Sequence, residues 1–221
     1  MPLEPMADFF AARLEGYDAH MLQNVEGCKE GYSMMAKLLP PSSRTLLDLG
    51  CGTGLELDEI FKVFPSLSVT GIDLCAPMLQ RLREKHPKKD LSLICGDYFS
   101  VPLGGPYDCA CSFESLHHFP HGEKTVLYRR IFESLAPDGV YLECDYMVDT
   151  AEEEELYFSE LARMKKEQNL SEDYYHYDTP CTVEHQIMML KLAGFVSVEQ
   201  VFRAGGTCML IAKKRLDGEK S

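Results

Sequence analysis

The stretch that decides the fold is "LLDLGCGTGLELDEIF", residues 46–61. Three leucines around one acid read as a buried strand, and Leu57, Ile60 and Phe61 recur at helical spacing behind them. Between the two lie Gly50, Gly52 and Gly54, alternating with Cys51 and Thr53. Without side chains, such a turn allows tight backbone geometry and lets main-chain N–H groups at a helix N-terminus come close to a bound group. A strand running through this turn into a helix is the opening unit of a parallel α/β sheet.

The same alternation continues on both sides. Residues 6–14 and about 25–39 read as helices, the second with Cys28, Tyr32, Met35 and Leu39 on one face and Pro40 and Pro41 ending it. After the glycine turn come a helix closed by Pro65, the strand "LSVTGID", a helix holding Met78, Leu79 and Leu82, and the strand "LSLICGD". A Gly/Pro loop at 102–106, the strand "YDCACSF", a helix with Leu127, Ile131 and Leu135, and a fifth strand in "PDGVYLECDYM" follow. Buried runs in place of strict alternation suit parallel strands covered on both faces. Thr150 and Glu153 form a capping-box pattern that predicts a helix over about 151–168, followed by the polar, aromatic "SEDYYHYDTP", a helix at 182–193 and a hairpin of "FVSVEQVF" and "TCMLIAKK" around "RAGG". The expected fold is a Rossmann-like, doubly wound α/β sheet of seven strands, mostly parallel with an antiparallel C-terminal strand.

Composition narrows the function. With 221 residues, 45% hydrophobic and 26% charged, the chain suits one globular domain, and no apolar run approaches a membrane span. A cytoplasmic protein is expected, because the N-terminal "MPLEPMADFF" lacks the pattern of a signal peptide. The formal net charge of −13 argues against a broad nucleic-acid surface, and the basic runs at 81–89 and 213–215 read as solvated surface. The nine cysteines fall mostly in apolar segments and read as reduced, buried thiols. Cys109 and Cys111 share a strand face, but no second Cys or His pair stands at zinc-site spacing, so no metal is expected.

Acids placed after the glycine turn sharpen the reading. The position where a dinucleotide-binding turn would want its third glycine is Leu55, and no G-K-[ST] follows, which disfavours a triphosphate loop. Asp73 ends the second strand, where a carboxylate can accept from both hydroxyls of a ribose; Asp97 ends the third, and Asp48 precedes the first glycine. Any one of these could simply form a turn or cap a helix. Taken in order, "LLDLGCGTG", "GIDLCAPML", "CGDYF", "SLHHF" and "LYRRIFESLAPDGVYLECD" resemble the class I S-adenosylmethionine-dependent methyltransferases over about residues 44–146.

That resemblance implies S-adenosyl-L-methionine as cofactor. Asp48, Gly50, Cys51, Gly52 and Gly54 would surround its methionine end, Asp73 the ribose, Leu74 and Met78 the adenine, and Asp97 and Tyr98 the adenine's amino edge. Tyr17, Phe113 and Glu114 complete the implied cofactor set. It divides the chain into an N-terminal helical lid (1–41), a cofactor-binding core (44–146), a helical insertion and substrate lid (149–181), and a C-terminal helix and hairpin (182–215).

Methyl transfer by in-line displacement asks the protein mainly to align a nucleophile and exclude water. His117 and His118 are the candidate catalytic groups, since imidazoles titrate near neutral pH and these follow a strand end. The equally simple reading is that they pack or cap the next loop. Two aromatic segments, "GYDAHM" with Tyr17 and "DYYHYD" with Tyr174, Tyr175 and His176, are read as covers over the cofactor and substrate. The expected acceptor is a small molecule, with oxygen, nitrogen, sulfur and carbon all open, and a homodimer is left open. Alternatives are a carboxy-S-adenosylmethionine synthase, disfavoured because residues 169–181 hold no Lys or Arg, a non-catalytic S-adenosylmethionine-binding regulator, and a dinucleotide oxidoreductase.

Overall fold

Leu46 faces one side of the central sheet while Leu47 and Leu49 face the other, because both sides are covered by helices. The structure, a computed structural model, describes residues 2–171 and 174–215, so Glu172 and Asp173 of "SEDYYHYDTP" lie outside the described residues. The elements are α1 (Met6–Gln23), α2 (Cys28–Leu38), β1 (Thr45–Leu49), α3 (Leu55–Val63), β2 (Ser68–Asp73), α4 (Ala76–Lys85), β3 (Leu91–Cys95) and β4 (Tyr107–Phe113). Next come α5 (His121–Ser134), β5 (Leu135–Val148), α6 (Ala151–Glu167), β6 (Cys181–Thr182), α7 (Val183–Ala193), β7 (Ser197–Ala204) and β8 (Thr207–Lys213).

Strand order across the sheet is β3-β2-β1-β4-β5-β8-β7, and β8 runs antiparallel to both β5 and β7. The two-residue β6 adds an eighth, parallel strand beside the end of β5, too short to read from periodicity. The chain order reverses at β1, which pairs with β2 on one side and β4 on the other. Open α/β sheets bind ligands at such a switch point, outside the C-terminal strand ends. Register brings those ends together: Leu49 lies opposite Ile72 and Ser112, so the glycine turn, Asp73 and Glu114 emerge side by side.

Most elements match the sequence pattern. Cys28, Tyr32, Met35 and Leu39 are all buried, and the Thr150–Glu153 capping box is present, with Glu153 N–H donating to Thr150 Oγ1 at 3.2 Å. The first helix runs to Gln23 instead of ending near residue 14, so "GYDAHM" is its last part. Its inward stripe of Met6, Phe10, Tyr17 and Met21 covers a cavity more than a continuous core, and the apolar signal fades accordingly. Leu135, expected to close a helix, instead starts β5, where it pairs with Tyr107. Asp97 lies beyond β3, in the turn that follows it.

Thr150→Ala removes the cap and should lower stability by about 1 kcal/mol. Urea titration should show a lower midpoint with an unchanged slope; a changed slope would point to a larger loss of structure.

Candidate active site

The turn after β1 adopts left-handed backbone, with φ of 72° at Gly50, 46° at Gly52 and 74° at Gly54. A Cβ at Gly50 would stand 2.0 Å from Ser115 Oγ, whereas one at Gly52 would meet nothing nearer than Gly50 O at 3.9 Å. The turn is therefore closed on the Ser115 side and open above Gly52. Asp73 holds it in place: Gly52 N–H donates to Oδ2 and Cys75 N–H to Oδ1, each at 2.8 Å. Burial raises the Asp73 pKa, against the two N–H groups, which favour the carboxylate.

Asp48 lies under the turn and is 1% exposed. It accepts from Cys111 S–H at 3.4 Å, while Asp48 Oδ2 and Glu56 Oε1 are buried with no hydrogen-bond partner among the described residues. Burial pushes Asp48 up to about 6 and, together with the Asp48 carboxylate beside it, Glu56 well above its ordinary range.

Above the turn, Gly50, Gly52, Asp73, Leu74, Met78 and Tyr98 border a cleft of about 60 Å³. The cleft adjoins a cavity of about 870 Å³, and both are lined by Phe10, Tyr17, Glu114 and His118. The roof is made where two distant segments meet. Met6 N–H donates to Tyr174 O at 3.2 Å, His176 N–H to Glu4 O at 2.9 Å, and Pro5 forms a bridge with Tyr175. His176 lines the cavity and stacks on Phe9 with ring centroids 3.4 Å apart.

Several expected residues stand outside these spaces. Asp97 Oδ1 accepts from Phe99 N–H at 2.8 Å, the geometry of a turn former. Cys51 is buried below the turn, and Phe113 is stacked on Tyr32 at 4.0 Å. Tyr174 donates to Glu123 at 2.9 Å, and the Tyr175 hydroxyl lies 3.1 Å from Ser171 Oγ. These two tyrosines build the roof without lining the cavity.

On the cavity wall, His117 Nδ1 donates to Asp145 Oδ1 at 2.6 Å, with Glu114 Oε2 at 3.6 Å and Asp178 Oδ1 3.5 Å from Nε2. Burial opposes a charge on His117, but Asp145, Asp178 and Glu114 together outweigh it and hold the imidazole well above its ordinary range. His118 is held well below, by burial and by the charged His117 beside it, and its Nδ1 lies 3.2 Å from Tyr177 O. One neighbour is thus charged and the other neutral at pH 7. Glu114 has a left-handed φ of 46° although it is not glycine, a strained conformation, and burial pushes its carboxyl up to about 7.

Asp145 and Asp178 were not read from sequence as site residues. The signal available was "ECD" in an apolar strand, which sets Glu143 and Asp145 on one face of β5. Behind them, Lys124 Nζ donates to Cys181 Sγ at 2.8 Å and Gln186 Oε1 at 3.2 Å, and Tyr128 OH donates to Glu143 at 2.7 Å. Among the described residues, metal-capable side chains form three groups, the first two sharing His117: His117, His118 and Asp178; Glu114, His117 and Asp145; and His121, Glu154 and Cys181. Spacing missed these groups because their members come from separate elements.

Residues 46–139 match the family model described as "Methyltransferase domain". Malonyl-[acyl-carrier protein] O-methyltransferase of Bacillus cereus is 26% identical over 155 residues, 70% of this chain and 53% of the relative. The chain thus spans about half the length of that relative. Carboxy-S-adenosyl-L-methionine synthase of Nautilia profundicola is 23% identical over 96% of this chain and 97% of its own. Human N-acetylserotonin methyltransferase, solved with S-adenosylmethionine, shares the fold at a TM-score of 0.65, with 21% identity over 96% of this chain and 60% of that one. Residues 46–139 are thus similar to a methyltransferase domain, and the chain shares the fold of the solved methyltransferase.

The His117–Asp145 pair has a defined pH dependence. Because the folded pKa of His117 is raised, the pair's contribution is complete below the unfolded value of about 6.5 and is lost as pH climbs through the folded value. The stability gap between wild type and Asp145→Asn should be widest at pH 6 and narrow towards alkaline pH in thermal melts. In NMR titration, the same substitution should lower the His117 pKa.

Proposed function

We propose that this chain methylates a small organic acceptor held in the 870 Å³ cavity. The observation that carries the reading is the junction at which the glycine turn and Asp73 meet that cavity, with Glu114 and His118 lining both spaces. S-Adenosylmethionine, when bound, supplies a methyl group on a sulfonium that is already an activated leaving group.

The residues fit that cofactor. Space above Gly52 is open, and each Asp73 oxygen keeps a lone pair for a hydroxyl. Leu74 and Met78 give the cleft an apolar wall suited to a base. A cleft of about 60 Å³ is nevertheless far below the roughly 300 Å³ at which ligand sites begin. Met6, Ala7 and Phe10 of α1 border it, so loading requires the start of α1 to move, released from Tyr174 and His176. Neutral His118 can accept a proton from the acceptor, while charged His117, fixed by Asp145, shapes the wall.

The end-to-end likeness to a carboxy-S-adenosylmethionine synthase supports a second reading. A carboxylated product would need a cation to receive it. Among the described residues the cavity wall offers one guanidinium, Arg13, already held by Glu4 at 3.1 and 3.3 Å. The acid-rich wall therefore favours methyl transfer. All nine thiols are free, which suits a reducing compartment, and we assign the reaction to the cytoplasm.

S-Adenosylhomocysteine at about 100 times its Kd should stabilise the protein by about 2.7 kcal/mol, with no effect from NAD. Gly52→Val places a β-branched residue at positive φ in the open space and should abolish that shift; Asp73→Asn should weaken binding at least about tenfold, about 1.4 kcal/mol. Stabilisation by NAD alone would overturn the reading.

A further inference from the structure

Four carboxyl groups line the cavity: Glu15, Glu26, Glu114 and Asp178. Glu114 and Asp178, which line the cavity, and Asp145 behind them surround His117 at 3.6, 3.5 and 2.6 Å, and the buried cation on the far side of Asp145, Lys124, is bound to Cys181 and Gln186. Glu114 and Asp145 are nearly sealed from water, with side chains 8% and 3% exposed, so solvent does little to offset their charge. Arg13 is committed to Glu4 and lies over the Phe9 ring at 3.6 Å. Glu15, at the rim, is paired with Arg81 at 2.7 Å, and Glu26 adds a further acid near the mouth. His20 on the rim, together with neutral His118 and His176, completes the titratable lining. The wall also carries the aromatic rings of Phe10, Tyr17 and Tyr146.

Carboxylates beside aromatic faces form a receptor for an organic ammonium: the acids take its N–H donors and the rings its charge and its carbon body. An anionic acceptor would meet repulsion from the same wall. We propose that the acceptor is an amine, entering as an ammonium group on an apolar body, with Glu114 and Asp178 as the groups that receive it. This rests on the methyltransferase reading and names the acceptor class within it.

Glu114 is the residue placed to activate such an acceptor. It borders both the cofactor cleft and the cavity, and its carboxyl is pushed up to about 7 by burial. An ammonium that gives one proton to this carboxylate becomes a neutral amine with a free lone pair, and the carboxylate becomes a neutral acid. Asp178, 42% exposed and held well below the usual carboxylate range, against burial, by charged His117, stays charged and anchors the ammonium on arrival.

The test uses the full chain with EDTA, saturated with S-adenosylhomocysteine, and three matched probes: 2-phenylethylamine, 2-phenylethanol and 3-phenylpropionate. Calorimetry should show the amine binding at least tenfold tighter than the alcohol, and the carboxylate weakest. Asp178→Asn should lower amine affinity about tenfold and leave the alcohol unchanged, with Glu114→Gln as a second variant giving the same pattern. Equal or tighter binding of the alcohol or carboxylate, no amine binding at millimolar concentration, or an amine affinity indifferent to both substitutions overturns the proposal. Failure of S-adenosylhomocysteine to bind in the first place overturns the methyltransferase reading itself, so the two failures are told apart.

Discussion

The active edge of this protein is organised by one carboxylate. Asp73 closes β2 and takes an N–H from the glycine turn with one oxygen and an N–H from the start of α4 with the other, both at 2.8 Å. Hydrogen bonds to a charged acceptor contribute about 1.5–3 kcal/mol each, enough to hold the left-handed backbone that Gly50 and Gly52 adopt. Leucine or asparagine in place of Asp73 would leave at least one buried N–H without its acceptor. The turn would then lose the reason for its shape, and α3 and α4 would lose their common reference point.

This constraint explains why so much of the fold was legible in the sequence. The strand, turn and helix around residues 46–61 are written locally: apolar run, glycines, helical spacing. So is α6, through its capping box. What stayed hidden depends on distant partners. Tyr107 across the sheet draws Leu135 out of a helix and into β5, and a cavity, not a core, lies under the second half of α1. Asp145 and Asp178 act on His117 from β5 and from the segment before β6, 28 and 61 positions away (145 − 117 and 178 − 117), which no motif spacing encodes. Asp97 shows the opposite error: an acid at an expected place, spent on the turn in which it sits.

The floor and the roof of the cavity are built differently. Asp145 shares β5 with Glu143, whose carboxyl burial and Asp145 together push up to about 8 and which Tyr128 and Gln186 bind. Lys124, Cys181 and Gln186 extend this network through α5, β6 and α7. A buried, largely satisfied polar network has one low-energy arrangement, so the wall bearing His117 and Asp145 is fixed before any ligand arrives. Among the described residues the roof is held at its edges by Tyr174 donating to Glu123 and Leu3 N–H donating to Gln168 Oε1, each at 2.9 Å. It is joined by a few backbone hydrogen bonds between residues 4–6 and 174–176 and by the Phe9–His176 stack.

Movement will follow that difference in strength. The second half of α1 is anchored to the core, since Met21 is buried and Asp18 accepts from Thr53 Oγ1 at 2.5 Å and pairs with Lys85 at 3.4 Å. Between the anchored and the lightly held halves lies Gly16, where an added Cβ would meet nothing within 4 Å. Phe10 lies in the lightly held half and lines both cleft and cavity, so whatever displaces it from one space alters the other. The cleft and the cavity thus meet at four shared side chains, Phe10, Tyr17, Glu114 and His118, of which Phe10 alone belongs to the first half of α1.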